Sequence, residues 1–322
     1  MMFILGAKVD LTIAPWHWFL LIGILGSLLL VDILVIHRTA HVVKPKEAAI
    51  ETVVWVAIGL LFGAWIAFEF GKQAAGEYIG GYLIEESLSI DNVFVWAVLF
   101  SHFKVPSQYQ HRVLFWGIFG AFIMRLGFIF AGVAIIDTFK ISLIVFGLFL
   151  AYTGVQLLRS GDDEFDPSKS KILKLFHRVV PSTDVLDGQK LFTVVNAKRV
   201  ATPLLAVLVM VELSDIIFAI DSVPAVLSVT SEQYIAFASN AFAIMGLRAL
   251  YFLVAGMRDR FQYLQTGLGI ILVFVGAKMV YSYWHHLSIA VSLSVIVVVL
   301  AGSVFASIRW GAPPANEDTP KH

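Results

Sequence analysis

Apolar residues run along this chain in nine stretches, at roughly 16–36, 50–69, 79–101, 112–135, 141–159, 201–228, 233–256, 264–283 and 288–308. About twenty consecutive apolar residues in a helix match the hydrocarbon thickness of a bilayer. The pattern therefore predicts an all-α membrane protein with about nine transmembrane helices. Most polar segments between the stretches are short. The exception is 160–200, where Gly-Asp-Asp-Glu-Phe-Asp-Pro precedes a lysine-rich run; it reads as a polar loop with a short amphipathic helix near 169–179. The tail from Gly311 onward, rich in proline and charge, reads as disordered.

The pattern also repeats. Ala121 to Arg125 with Phe130-Ala131-Gly132 echoes Ala243 to Arg248 with Ala255-Gly256, and Phe149 to Gln156 echoes Val273 to Lys278, at offsets of about 122 to 124 residues. Stretches three to five then correspond to stretches six to eight. A unit of three crossings leaves its copy upside down in the membrane, which is the inverted repeat of secondary transporters. The chain divides accordingly into two N-terminal crossings (1–78), a first repeat (79–159), a cytoplasmic loop (160–200), a second repeat (201–283), and a last crossing with its tail (284–322).

Charge sets the orientation. Of 23 Lys and Arg, seventeen fall on one side of a nine-crossing path, three on the other (Lys8, Lys72, Lys140) and three inside crossings (Arg125, Arg248, Lys278). Positive loops stay cytoplasmic, so the N-terminus is expected outside and the C-terminus in the cytoplasm. The start of the chain lacks a charged n-region and small-residue cleavage site, so the first crossing is expected to be retained. Residues Trp16, Trp18, Tyr283, Trp284 and Trp310 fit interfacial belts against membrane lipid.

Composition narrows the chemistry. The chain is 59% hydrophobic and 14% charged with zero net charge, and its mean hydropathy is +0.84. No basic face suggests nucleic acid. The absence of cysteine removes disulfides and thiolate sites. The histidines fall in loops or at the edges of the stretches, which argues against a histidine zinc site. No nucleotide or hydrolase motif is present. The sequence thus reads as a non-enzyme with no permanently bound cofactor, driven by an ion gradient.

Against that background two stretches carry carboxylates. One runs Gly81-Tyr-Leu-Ile-Glu85-Glu86-Ser-Leu-Ser-Ile-Asp91-Asn92, the other Met210-Val-Glu212-Leu-Ser214-Asp215-Ile-Ile-Phe218-Ala-Ile-Asp221-Ser222-Val-Pro224. Intramembrane acids are costly and functional by default, whereas the bland alternative makes them neutral packing groups. Glu85, Asp91, Asp215 and Asp221 point to a hard divalent cation or a proton path, with Asn92 and Ser222 as neutral oxygen donors. Glu85 and Asp91, like Asp215 and Asp221, are six residues apart and diverge by about 120° on an unbroken helix. Convergence then calls for unwinding, with Ser87 and Ser89 as weak points and Pro224 freeing the Ile220 carbonyl.

Two of the remaining candidates have two readings each. Glu212 is a ligand or a support for one, and Asn240 a ligand or a helix–helix hydrogen bond. Glu86 reads as structural and Asp32 as solvated. Arg125 and Arg248, at matching repeat positions, are expected to balance the carboxylates. Met210 and Met245 read as core rather than soft ligands, and Gly117, Gly120, Gly127 and Gly132 as close helix packing. The offset pairs Asp91 with Asp215, while the six-residue spacing pairs it with Asp221.

Several motifs resemble the TerC family, in its Alx-type branch. They are Gly81-Tyr-Leu-Ile-Glu85, Asp91-Asn-Val-Phe-Val-Trp96, Val211-Glu-Leu-Ser-Asp215, Phe218-Ala-Ile-Asp-Ser-Val-Pro-Ala225, Ser239-Asn-Ala-Phe-Ala-Ile244 and Gly246-Leu-Arg-Ala-Leu-Tyr251. The resemblance runs from about residue 50 to 300. It implies an integral membrane protein of the LysE-like transporter superfamily, associated with Mn²⁺ efflux and, by the family's name, with tellurite resistance. It further implies that Glu85, Asp91, Asp215 and Asp221 line the ion path. The expected function is a proton-coupled Mn²⁺ exporter of the bacterial inner membrane. The alternatives are a Ca²⁺/H⁺ exchanger and a membrane scaffold or metal-loading partner that moves no ion.

Overall fold

The computed structural model describes residues 11–32, 34, 43–159, 180–183, 185–195, 198–254, 262–284 and 289–310. Eight helices form within them: α1 (Pro15–Val31), α2 (Pro45–His102), α3 (Ser107–Thr138), α4 (Ser142–Arg159), α5 (Pro203–Leu227), α6 (Gln233–Val254), α7 (Gln262–Tyr281) and α8 (Ile289–Trp310). Helices α2 to α6 are long and apolar enough to cross a membrane, and α1, α7 and α8 contribute shorter apolar helices. Phe19, Leu61, Phe68, Tyr152 and Val298 point outward, as on a lipid-facing surface.

Helix α2 has 58 residues, about 87 Å if straight, nearly three times the hydrocarbon core. The chain resolves this at Gly71, with φ 89° and ψ 173°, a region that essentially only glycine enters. The arms on either side fold back on each other. The Tyr78 hydroxyl donates to the Gly59 carbonyl at 2.9 Å, and the Tyr82 and Tyr78 rings lie over Gly59 and Gly63. Both pairings centre beside residue 71. With the arms counted separately, the nine predicted stretches coincide with nine helical segments. A side chain at 71 would add strain of roughly 1–3 kcal/mol. Gly71→Ala is therefore expected to lower the unfolding temperature in detergent, and an unchanged temperature would show that the turn tolerates a Cβ.

Small residues set the closest approaches. On α3, Gly117, Gly120 and Gly132 face Val211, Glu212 and Leu227 of α5, whereas Gly127, expected to pack likewise, has open space beside it. Helices α4 and α7 touch backbone to backbone: a Cβ at Gly147 would lie 2.7 Å from the Gly276 carbonyl oxygen, and one at Gly154 would lie 2.7 Å from that of Gly269. A shift of 122 residues turns 147 into 269 and 154 into 276, which exchanges the two contacts. Helix α6, with Ala236, Ala238, Ala241, Ala243 and Ala249, is buried almost all round and forms the centre of the bundle.

Among the described residues, the segment expected to be loop holds one departure. Strands β1 (Phe192–Val195) and β2 (Lys198–Ala201) pair antiparallel, Phe192 opposite Ala201 and Val195 opposite Lys198. The Arg199 guanidinium lies 4.5 Å from the centroid of the Phe192 ring. The short β-branched run Thr193-Val-Val is what favours strand there, and the polar segment around it hid the signal. The amphipathic helix expected near 169–179 and the tail from Gly311 lie outside the described residues.

Candidate cation site

Arg125 stands mid-way along α3 and is 1% exposed. A guanidinium has five donors and must find acceptors for them in the protein when water is excluded. Its Nη2 donates to Asp215 Oδ1 at 2.9 Å and its Nε to Asp215 Oδ2 at 3.4 Å. Its Nη1 donates to Ser222 Oγ at 2.9 Å and to Glu85 Oε1. The other Glu85 oxygen accepts from Asn240 Nδ2 at 2.8 Å, and the Ser89 hydroxyl lies 3.4 Å from Oε1. Helices α2, α3, α5 and α6 therefore meet at one buried polar group. The spacing explains which residues take part. Asp215 and Ser222 are seven apart, two turns along one face of α5, and so both reach Arg125.

A cavity of about 120 Å³ adjoins this group. Its polar wall is Glu85, Asn92, Arg125, Asp221 and Ser222. Its other wall is Thr153 and Leu157 of α4 with Leu268 and Leu272 of α7. Glu85 and Asn92 are again seven apart on one face. Asn92 is 1% exposed, and its Oδ1 makes no hydrogen bond among the described residues. An unsatisfied buried acceptor costs roughly 1–3 kcal/mol. Asp221, one residue before Ser222, lines the cavity together with Thr153 of α4. The acceptors that Glu85, Asn92, Asp221 and Ser222 bring to this cavity are oxygens, the donor set of hard divalent cations.

Glu85, Asp215, Ser222, Asn240 and Arg125 thus hydrogen-bond directly, and Asp221 and Asn92 join them at the cavity. Asp91 lies on α2, but its side chain is outside those described. Glu212 faces Gly120 of α3 away from the cavity, with a buried Oε2 that has no hydrogen-bond partner among the described residues. Among the described residues no three His, Asp or Glu side chains lie close enough to hold a metal together; Arg125 stands between Glu85 and Asp215. Met210 and Met245 sit in the apolar core.

Three expectations need correction. The helices are not unwound: α2 and α5 continue through both acidic clusters and through Pro224. Ser87 donates to the Leu83 carbonyl one turn back, inside an intact helix. Convergence is achieved between helices rather than within one. Arg248 pairs through both Nη atoms with Asp32, at the end of α1, instead of with the cluster. Asp32 is accordingly 3% exposed rather than solvated, because α1 packs against α6. Thr153 was missed as a site residue. Its place opposite Asp221 depends on how α4 and α7 interlock, which no local pattern announces.

The model of the integral membrane protein TerC family matches residues 70–312. The chain belongs to the TerC family. It is a multi-pass integral membrane protein. It is 46% identical over 310 residues to an uncharacterised membrane protein, STKORF319, of Myxococcus xanthus, covering 96% of this chain and 97% of that one. It is 41% identical over 295 residues to a Shigella flexneri protein named "Putative membrane-bound redox modulator Alx", covering 89% and 92%. An uncharacterised membrane protein of Rickettsia bellii is 36% identical over 291 residues, covering 90% and 96%. No solved structure matches the chain.

Proposed function

We propose that this protein exports Mn²⁺ across the bacterial inner membrane in exchange for protons, with the N-terminus outside and the C-terminus in the cytoplasm. The observation that carries the reading is the oxygen-walled cavity, where the unpartnered Asn92 Oδ1 and the Asp221 carboxylate flank an Arg125-bound Glu85. Arg125 acts as a tethered counter-ion. While the cavity holds no cation, its guanidinium satisfies Glu85 and Asp215, which makes an empty acidic site tolerable in low dielectric. An arriving divalent ion competes with Arg125 for Glu85 and recruits Asp221, Asn92 and Ser222, with Asp91 as a further carboxylate on the same stretch. The exchange of the α4–α7 glycine contacts under a 122-residue shift supports an inverted repeat and alternating access around this point.

The name of the Alx relatives speaks of redox modulation. Without cysteine this chain has no thiol chemistry to contribute. Changing the cell's content of a redox-active metal ion is a route that remains open to it.

Inverted membrane vesicles containing the protein are expected to accumulate Mn²⁺ on energisation, in preference to Ca²⁺, and to lose it when a protonophore collapses the proton gradient. Cells expressing it should hold less manganese. Uptake of Ca²⁺ alone would replace this reading with a Ca²⁺/H⁺ exchanger. No ion uptake, with a functional effect that depends on residues 160–200, would replace it with a scaffold.

A further inference from the structure

Among the described residues, Thr153 is the one polar side chain that the α4–α7 pair contributes to the cavity wall. Its backbone is held firmly. The adjacent Gly154 packs on the Gly269 carbonyl and the Val273 amide, where a Cβ would approach either to 2.7 Å. Position 153 therefore cannot drift without separating two helices. The hydroxyl has one proton and two lone pairs. The proton goes to the Phe149 carbonyl, one turn back on the same helix at 3.0 Å, an arrangement threonine readily adopts in a helix. The lone pairs remain for another partner, and the Asp221 carboxylate lines the same cavity.

We propose that Thr153 is a cation ligand supplied from the α4–α7 side. Its hydroxyl proton stays on the Phe149 carbonyl, and its oxygen lone pairs face a divalent ion held beside Asp221 and Asn92 in the cavity that all three line. Asn92 Oδ1, without a hydrogen-bond partner among the described residues, is the second neutral oxygen of the same set. Thr153 also becomes the contact through which ion occupancy is felt by α4 and α7, since the ion joins it to Asp221 of α5. This inference rests on the cation reading of the cavity.

The test uses the full chain in detergent and titrates MnCl2 by calorimetry into wild type, Thr153→Val, Thr153→Ser and Asp221→Asn. Thr153→Val keeps the shape and removes the oxygen. It is expected to weaken Mn²⁺ binding about ten- to hundredfold, the range seen when oriented groups around a metal are lost. Thr153→Ser restores the hydroxyl and is expected to bind within about threefold of wild type. The unfolding temperature without metal should be the same for Thr153→Val as for wild type, which a purely structural role would not predict. Wild-type affinity in Thr153→Val, with binding lost in Asp221→Asn, would overturn the role of Thr153 and leave the cation site standing. Equal loss in Thr153→Ser and Thr153→Val would also overturn it, because the hydroxyl would then not be the group that matters. If wild type itself binds no Mn²⁺, the cation reading falls and this inference with it.

Discussion

Asp221→Asn is expected to abolish metal transport while leaving the protein folded in the membrane. The amide has the size and shape of the carboxylate, so packing against α4 is retained. What disappears is the negative charge that offsets removal of water from a divalent ion. Neutral oxygens alone hold such ions poorly, and sites are graded by how many charged ligands they contain. Transport should fall at least a hundredfold, below detection in vesicles, with normal protein in the membrane fraction. Asp91→Asn is expected from the sequence to behave in the same way. An Asp221→Asn protein that moved Mn²⁺ at the wild-type rate would remove this residue from the ion path.

Replacing Arg125 should act on the fold itself. The guanidinium is enclosed by Asp215, Glu85 and Ser222, and taking it away leaves two carboxylates buried side by side. Breaking a buried ion pair by removing one partner costs about 3–5 kcal/mol. Arg125→Leu is expected to give little folded protein in detergent. Arg125→Lys should rescue it poorly, since a single ammonium cannot fork between both Asp215 oxygens and still reach Glu85. Adding Glu85→Gln and Asp215→Asn to Arg125→Leu should restore stability, because the neighbours are then neutral; this coupling is what a mutant cycle measures. Wild-type unfolding behaviour in Arg125→Leu would mean that the carboxylates do not depend on the guanidinium.

The helical plan was legible because apolar run length alone marks a membrane crossing, and each predicted stretch found its helix. The identity of the buried acids was legible too, since a carboxylate in hydrocarbon announces itself. How they meet was not. The divergence of Glu85 from Asp91 on one helix suggested unwinding, yet the solution lay in a third helix that brings Arg125 between Glu85 and Asp215. Such contacts are set by interhelical packing, for which single-chain periodicity carries no signal. Arg248 shows the same limit. Its likeness to Arg125 in the repeat was readable, but its partner Asp32 lies on α1, outside the repeat altogether. Thr153 and the β1–β2 hairpin escaped for a related reason: each is a short polar or β-branched feature whose meaning depends on a distant neighbour.

The turn at Gly71 bears on how the chain enters the bilayer during synthesis. Two crossings joined by a single residue leave no loop that could wait in water while the first arm settles alone. The arms of the 58-residue α2 must be threaded together as a hairpin, tip first. Glu69 and Lys72 travel at that tip, and in the proposed orientation, with the N-terminus outside, their charges pass through the membrane with it. Insertion of this protein is therefore governed by the pair of arms as one unit. A long flexible insert after Gly71 would uncouple them and expose the first arm to release before the second arrives.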